Sequence, residues 1–336
     1  GNINERYEYQ QDIINYLIKH DGYIERKDSN FDILHAMDPE LLMQFLNNTQ
    51  PDEMAALKKM YKDDLQETIV NSINSFAISK NGSTLYLLKH GIEIANHKLT
   101  LLYEKPATDF NPELTKKYES NIFSVMQEVH YIHKENDSNQ NKQRVDLVLF
   151  INGIAIISIE LKSNGQGQNY EDAIEQYRKD RDPKARLFLF KAGCLVNFAM
   201  DCEEVYMTTK LDKEATFFMP FNKGKGEGVF SGAGNPVLKD DYDVSYMWKD
   251  IFTRDTLIEL ITKFIFIEKK ESKDEVTGKK KVSERLIFPR YHQLDALRKI
   301  IADLKINHTD QNYLIEHSAG SGKTNTIAWL AHRLAS

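Results

Sequence analysis

Cysteine is almost missing from this chain: two in 336 residues, too few for a disulfide framework. The pair, Cys194 and Cys202, lacks the spacing of a zinc site, and both stand beside strand-like segments as expected core residues. No apolar run approaches the roughly 20 residues that a helical bilayer crossing needs. The longest such stretch is broken by Asn152-Gly153. No secretory leader is visible, so the default expectation is a cytoplasmic protein without a membrane partner. A basic excess is missing too, since 44 Lys and Arg against 50 Asp and Glu leave a net charge of −6. That balance excludes a broad cationic footprint for nucleic acid but leaves room for a local one. Neither internal repeats nor low-complexity tracts occur. What remains is a globular composition, 41% hydrophobic, long enough for two domains with their own cores.

Against that background, residues 143–163 (QRVDLVLFINGIAIISIELKS) stand out. Two apolar runs, 147–151 and 154–157, flank Asn152-Gly153, a strong hairpin signal. Strands apolar on both faces belong in the middle of a covered sheet. Asp146, Glu160 and Lys162 lie in and beside them, where an uncompensated charge loses several kcal/mol of hydration. Two carboxylates and a lysine compensate one another, and a divalent cation suits the carboxylates better still.

Register decides whether these groups meet. A plain two-residue turn pairs Ile151 with Ile154, sets Asp146 opposite Ile159, and leaves Glu160 on the other face. A three-residue loop with Gly153 left-handed, a G1 bulge, pairs Phe150 with Ile154 and returns all three charges to one face. A shared site therefore requires that bulge or an equivalent one-residue offset.

The spacing, Asp followed fourteen residues later by Glu-X-Lys, resembles the PD-(D/E)XK nucleases. The resemblance implies that Asp146 and Glu160, with the Leu161 carbonyl, ligate Mg²⁺. Lys162 would then orient the attacking water or neutralise developing charge. In the RecB-like branch, Gln-x-x-x-Tyr follows on the next helix. Here Gln176 sits on a helix expected over 170–180, but Asp180 stands four residues on and Tyr177 is adjacent. Gln176 is the expected neighbour of the metal site.

Near the C-terminus, Asn312–Glu316 reads as a strand running into HSAGSGKT (317–324), followed by apolar residues at helical spacing. Strand, glycine-bearing loop, Lys-Thr and helix form a phosphate cradle, with Gly320, Ser321 and Gly322 offering backbone N–H groups. Lys323 would reach the β/γ-phosphates of ATP and Thr324 the nucleotide-bound Mg²⁺. His317 stands where the strict pattern has glycine, a departure shared by superfamily 2 helicases, which this loop resembles. Upstream, Arg290-Tyr291-His292-Gln293 resembles the helicase Q motif, in which Gln293 would read adenine.

Nuclease core first and motor second, with RVDLVLFINGIAIISIELK, EDAIEQYRKDR, PFNKG…GAGNP, RYHQLDAL and HSAGSGKT in order, resembles the restriction (motor) subunit of type I restriction-modification enzymes. That resemblance implies ATP-driven translocation on double-stranded DNA, metal-dependent cleavage, and an assembly with methyltransferase and specificity subunits. Only twelve residues follow Thr324, so Walker B and a second RecA-like lobe are expected in a longer parent. Gly1 fits a trimmed tag. A repair helicase-nuclease is the alternative, disfavoured because such enzymes carry the nuclease after the motor. The other alternative is a non-catalytic DNA-binding module.

The expected architecture is α/β: a PD-(D/E)XK domain (1–267) with a mixed sheet flanked by helices, a charged connection (268–283), and the start of a RecA-like domain (284–336). One long helix is expected over 53–78, with others over 7–19, 39–47, 112–120 and 255–266. Strands are expected over 83–88, 91–95, 98–103, 121–129, 186–190, 195–200 and 204–209. Lys179, Arg181, Lys184 and Arg186, with Lys223 and Lys225, are candidate phosphate contacts.

Overall fold

The structure is a computed structural model that describes residues 3–133, 143–225 and 233–307. Helix α1 (Ile3–Asp21) leads through strand β1 (Ile24–Arg26) to α2 (Pro39–Thr49), α3 (Pro51–Tyr61), α4 (Leu65–Ile78) and α5 (Thr84–His90). A small hairpin, β2 (Ile92–Ile94) and β3 (His97–Leu99), and helix α6 (Pro112–Glu119) precede the main strands β4 (Phe123–His130), β5 (Arg144–Ile151) and β6 (Ile154–Leu161). Then come α7 (Tyr170–Glu175), β7 (Val196–Met200), β8 (Val205–Thr208), β9 (Met219–Pro220) and α8 (Arg254–Glu259). A ribbon of β10 (Phe266–Lys273) and β11 (Lys280–Ile287) and helix α9 (Tyr291–Asn307) complete the described chain.

Seven strands form one sheet in the order β1-β4-β5-β6-β7-β8-β9. It is mixed: β1–β4 and β6–β7 are parallel, and the remaining pairs are antiparallel. The parallel pair β6–β7 needs a crossover, and α7 lies in it. Both faces are covered, which explains the unbroken apolar runs. Leu147, Leu149 and Ile151 of β5 enter one core with residues of α1 to α5 and α8. Val148 and Phe150 enter a second core with Ala173, Ile174 and Tyr177.

The β5–β6 hairpin contains the one-residue offset, but not at the turn. Ile151 pairs with Ile154 across a two-residue turn in which Asn152 (φ 52°) and Gly153 (φ 79°) are both left-handed, as a type I′ turn requires. The expected G1 bulge is thus replaced by a shift further along, between the pairs Phe150–Ala155 and Leu149–Ile157. Its signature is that Ile156 and Ile157, adjacent in sequence, both face the first core. Beyond it, Leu147 pairs with Ile159, so continuing the register sets Asp146 level with Glu160. The turn is held from outside as well. The buried Asn152 side chain accepts from the Ile122 N–H (2.6 Å) and donates to the Leu101 carbonyl (2.9 Å).

Several elements depart from the sequence expectations. The helix expected over 53–78 breaks at Lys62, whose φ is 53°, into α3 and α4. Apolar residues four apart drift about 40° per step on a helix, and the break realigns the stripe. Residues 83–88, expected as a strand, start helix α5, because Ser83 caps it by accepting from the Tyr86 N–H (3.0 Å) and Gly91 stops it at φ 70°. Residues 186–190 form turns closed by hydrogen bonds such as Cys194 N to Leu187 O (2.8 Å) rather than a strand. The charged run 268–283 is not irregular: it lies within the antiparallel ribbon β10–β11, tethered where Lys191 meets Glu284 (3.0 Å). The strands over 91–95 and 98–103 pair only with each other, outside the main sheet. No helix among the described residues is long and apolar enough to cross a membrane.

Candidate active site

Asp146, near the start of β5, is 4% exposed. Its Oδ2 accepts from the Leu161 N–H at 2.8 Å, so the side chain replaces a ladder bond where the β5–β6 pairing ends. Glu160, on β6, is fully buried. Two residues on, Lys162 shares its face by the strand period, and its N–H donates to the Met200 carbonyl (2.9 Å), locking this end of β6 to β7. The Lys162 charge acts on the Glu160 carboxyl and favours its ionised form.

The Glu160 carboxylate is held by Arg181, whose Nε (2.8 Å) and Nη2 (2.7 Å) both donate to Oε1. Oε2 has no hydrogen-bond partner among the described residues. Burial pushes the Glu160 carboxyl up to about 8, with Arg181 and Lys162 pulling it down and Asp146 adding to the rise. Burial works against the Arg181 charge as well, yet the neighbouring carboxylate raises the guanidinium above its ordinary range. Removing one partner of such a buried pair typically costs about 3–5 kcal/mol.

Gln176 closes the site from the crossover. Helix α7 begins with a capping box on Asn169 and passes into a π-helical turn, Gln176–Asp180, a feature frequent at functional sites. The Gln176 Oε1 is buried without a hydrogen-bond partner among the described residues. Tyr177 points away from Gln176 into the second core, where its hydroxyl meets Ser158 Oγ at 2.8 Å. Asp146, Lys162 and Gln176 thus line one polar cavity of about 190 Å³. Glu160 lies behind it, bonded to the lining residue Arg181.

Sequence reasoning missed Glu128, Arg144 and Gln168 on the same cavity, and gave Arg181 the wrong role. Arg144 was readable, because it precedes Asp146 by one strand period. Glu128 was not. It interrupts β4 between the pairs Gln127–Leu147 and Val129–Val145 with a φ of 53°, which no local pattern announces. A larger concavity of about 740 Å³ lies elsewhere, beside α6 and α8, where Lys105 and Tyr118 both engage Asp255. It holds none of the expected site residues.

The expected phosphate-binding cluster is dispersed. Arg181 is 1% exposed and committed to Glu160. Arg186 donates to Asn74 Oδ1 and the Ala192 carbonyl, both at 2.6 Å. Lys179 pairs with Glu175 in solvent, Lys184 is exposed, and Lys223 lies over the Tyr246 and Tyr291 rings. Gln293, the expected adenine reader, accepts from the Arg290 N–H (2.8 Å) at the start of α9. Gly320, Ser321, Gly322, Lys323 and Thr324 lie outside the described residues.

The profile of the family described as Type I restriction enzyme R protein N terminus matches residues 3–216. The chain belongs to this family. All the cavity residues of this type I restriction R protein N terminus fall inside the matched span. Residues 286–336, including Gln293, match a second family, described as Type III restriction enzyme, res subunit. Two curated relatives come from Methanocaldococcus jannaschii. One, provisionally described as the endonuclease subunit of type I restriction enzyme MjaVIIIP, is 30% identical over 283 residues, covering 81% of this chain and 24% of the relative. The other, provisionally described as the MjaVIIP endonuclease subunit, is 29% identical over 251 residues, covering 73% and 21%. The chain therefore spans about a quarter of the length of these relatives.

Proposed function

We propose that the cavity is the DNA-cleaving centre of a type I restriction subunit, of the PD-(D/E)XK kind, hydrolysing phosphodiesters with Mg²⁺. One observation carries the reading: the hairpin offset turns Asp146, Glu160 and Lys162 to one face, where Gln176 joins them. The donor set suits a hard cation. Glu160 keeps an orphaned carboxylate oxygen in a fully buried side chain, and Asp146 is beside it. Among the described residues no three His, Cys, Asp or Glu side chains gather as a metal cluster. The remaining positions would fall to the Leu161 carbonyl and water, as Mg²⁺ commonly accepts. When bound, the cation supplies Lewis acidity and an acidified water. Asp146 and Glu160 hold it against the strand ends. Lys162, on the cavity lining, would face the phosphate and offset charge that develops on it. Gln176 offers its amide to the phosphate or the attacking water.

In the full-length protein, residues 317–324 and Gln293 would bind ATP with Mg²⁺ and drive translocation on double-stranded DNA. Methyltransferase and specificity subunits would complete the complex in the cytoplasm. The test is DNA cleavage by that assembly. Asp146→Ala and Lys162→Ala should each lower cleavage by a hundredfold or more, on the order of losing a key electrostatic group, while ATP hydrolysis continues. Cleavage at the wild-type rate in either variant would overturn the assignment.

A further inference from the structure

We propose that Arg181 is a positioning residue of this centre: it grips Glu160 by one carboxylate oxygen and keeps the other available to the divalent cation. The inference rests on the cleavage reading above and goes beyond it, to the group that prepares a ligand.

The grip is unusual in form. An arginine and a carboxylate commonly meet fork to fork, each oxygen taking one N–H. Here Nε and Nη2 converge on Oε1, and Oε2 has no hydrogen-bond partner among the described residues, in a side chain that has no exposed surface. Buried polar atoms are rarely left so, and an orphan directly behind a polar cavity is a place where a bound ion would satisfy it. Arg181 is fixed in turn. It is 1% exposed, and its guanidinium lies 5.4 Å from the centre of the Tyr131 ring, whose hydroxyl donates to the Asp180 carbonyl (2.9 Å).

Arg181 reaches this place from the end of the crossover helix. Residues 176–180 form a π-helical turn, and Arg181 ends it in extended backbone (φ −95°, ψ 139°). Arg181 is five beyond Gln176, and both line the cavity.

Mn²⁺ binding to this 336-residue chain, followed by electron paramagnetic resonance, tests the proposal, with thermal unfolding recorded on each sample. Wild type should bind Mn²⁺ and Glu160→Gln should not. Arg181→Gln should weaken binding by about tenfold to a hundredfold, the usual effect of losing a group that orients a metal ligand. Arg181→Lys, which keeps the charge but loses the two-bond grip, should recover part of the affinity. A merely structural arginine would lower the unfolding temperature without changing the affinity of the folded protein. Wild-type affinity in both folded variants overturns the proposal. If Arg181→Gln fails to fold, wild-type affinity in Arg181→Lys alone does so. If wild type itself takes up no Mn²⁺, the cleavage reading falls, and this inference with it.

Discussion

At the scale of single residues, the site is built on a carboxyl that water does not reach. Burial raises Glu160 to about 8, far above the ordinary value of 4.5, with Asp146 adding to the rise and Arg181 and Lys162 opposing it. Because the folded state binds this proton more tightly than the unfolded chain, the Glu160 contribution to stability is fully present below about 4.5 and is lost as pH rises toward and through about 8. Denaturant unfolding in the absence of divalent cations, at about pH 6 and about pH 9, should therefore show a weaker fold at the higher pH. Glu160→Gln should flatten that dependence. A wild-type stability that rises over this interval, or a variant with the same slope, would show that Glu160 does not set it. Asp146, Glu160 and Lys162 were legible in the sequence because charge in an apolar strand is costly. Arg181 was not: nothing in the local run QYRKDR distinguishes the one buried cation from its solvated neighbours.

Among the elements, the β5–β6 hairpin decides whether a site exists. Its sequence specified a turn and required one residue of offset, and both are present. The offset sits at Ile156–Ile157 instead of the turn, because Asn152 and Gly153 satisfy a tight type I′ turn and are clamped by surrounding chain. That clamp makes Gly153 irreplaceable. Its φ is 79°, and an added Cβ would lie 2.4 Å from the Asp38 carbonyl oxygen and 2.8 Å from the Leu42 nitrogen, both backbone atoms. Gly153→Ala should destabilise the fold by about 2–4 kcal/mol, from left-handed strain plus overpacking. A change within about 0.5 kcal/mol, the range of ordinary surface substitutions, would mean that the α2 start yields freely. The same element scale shows where periodicity misled. Residues 83–88 are apolar enough for either state, and the caps Ser83 and Gly91, not the period, made them a helix.

For the whole molecule, the described start of α9 packs onto the larger core through Leu294, Leu297 and Ile300. Arg298 reinforces this, donating to both Asp250 oxygens (3.1 and 3.0 Å), to Glu259 (3.4 Å) and to Thr256 Oγ1 (2.7 Å). The group is about one-third exposed, so solvent screening reduces its worth. Arg298→Ala should cost about 1–2 kcal/mol and quicken proteolysis near 291–307 before the main sheet opens. Unchanged cleavage there would show that apolar packing alone fixes α9.

By itself the sequence determined the mixed α/β class, the central hairpin, and which charged residues stand in it. These follow from local quantities: side-chain period, turn chemistry, and the cost of charge in apolar surroundings. Only the tertiary structure decided that Glu128 and Arg181 share the cavity, that the other basic residues scatter, and that the run 268–283 pairs as a ribbon. Those outcomes depend on which distant strands and turns pack together. A bulge or a π turn, each a single inserted residue, changes which side chains face one another without leaving a periodic trace.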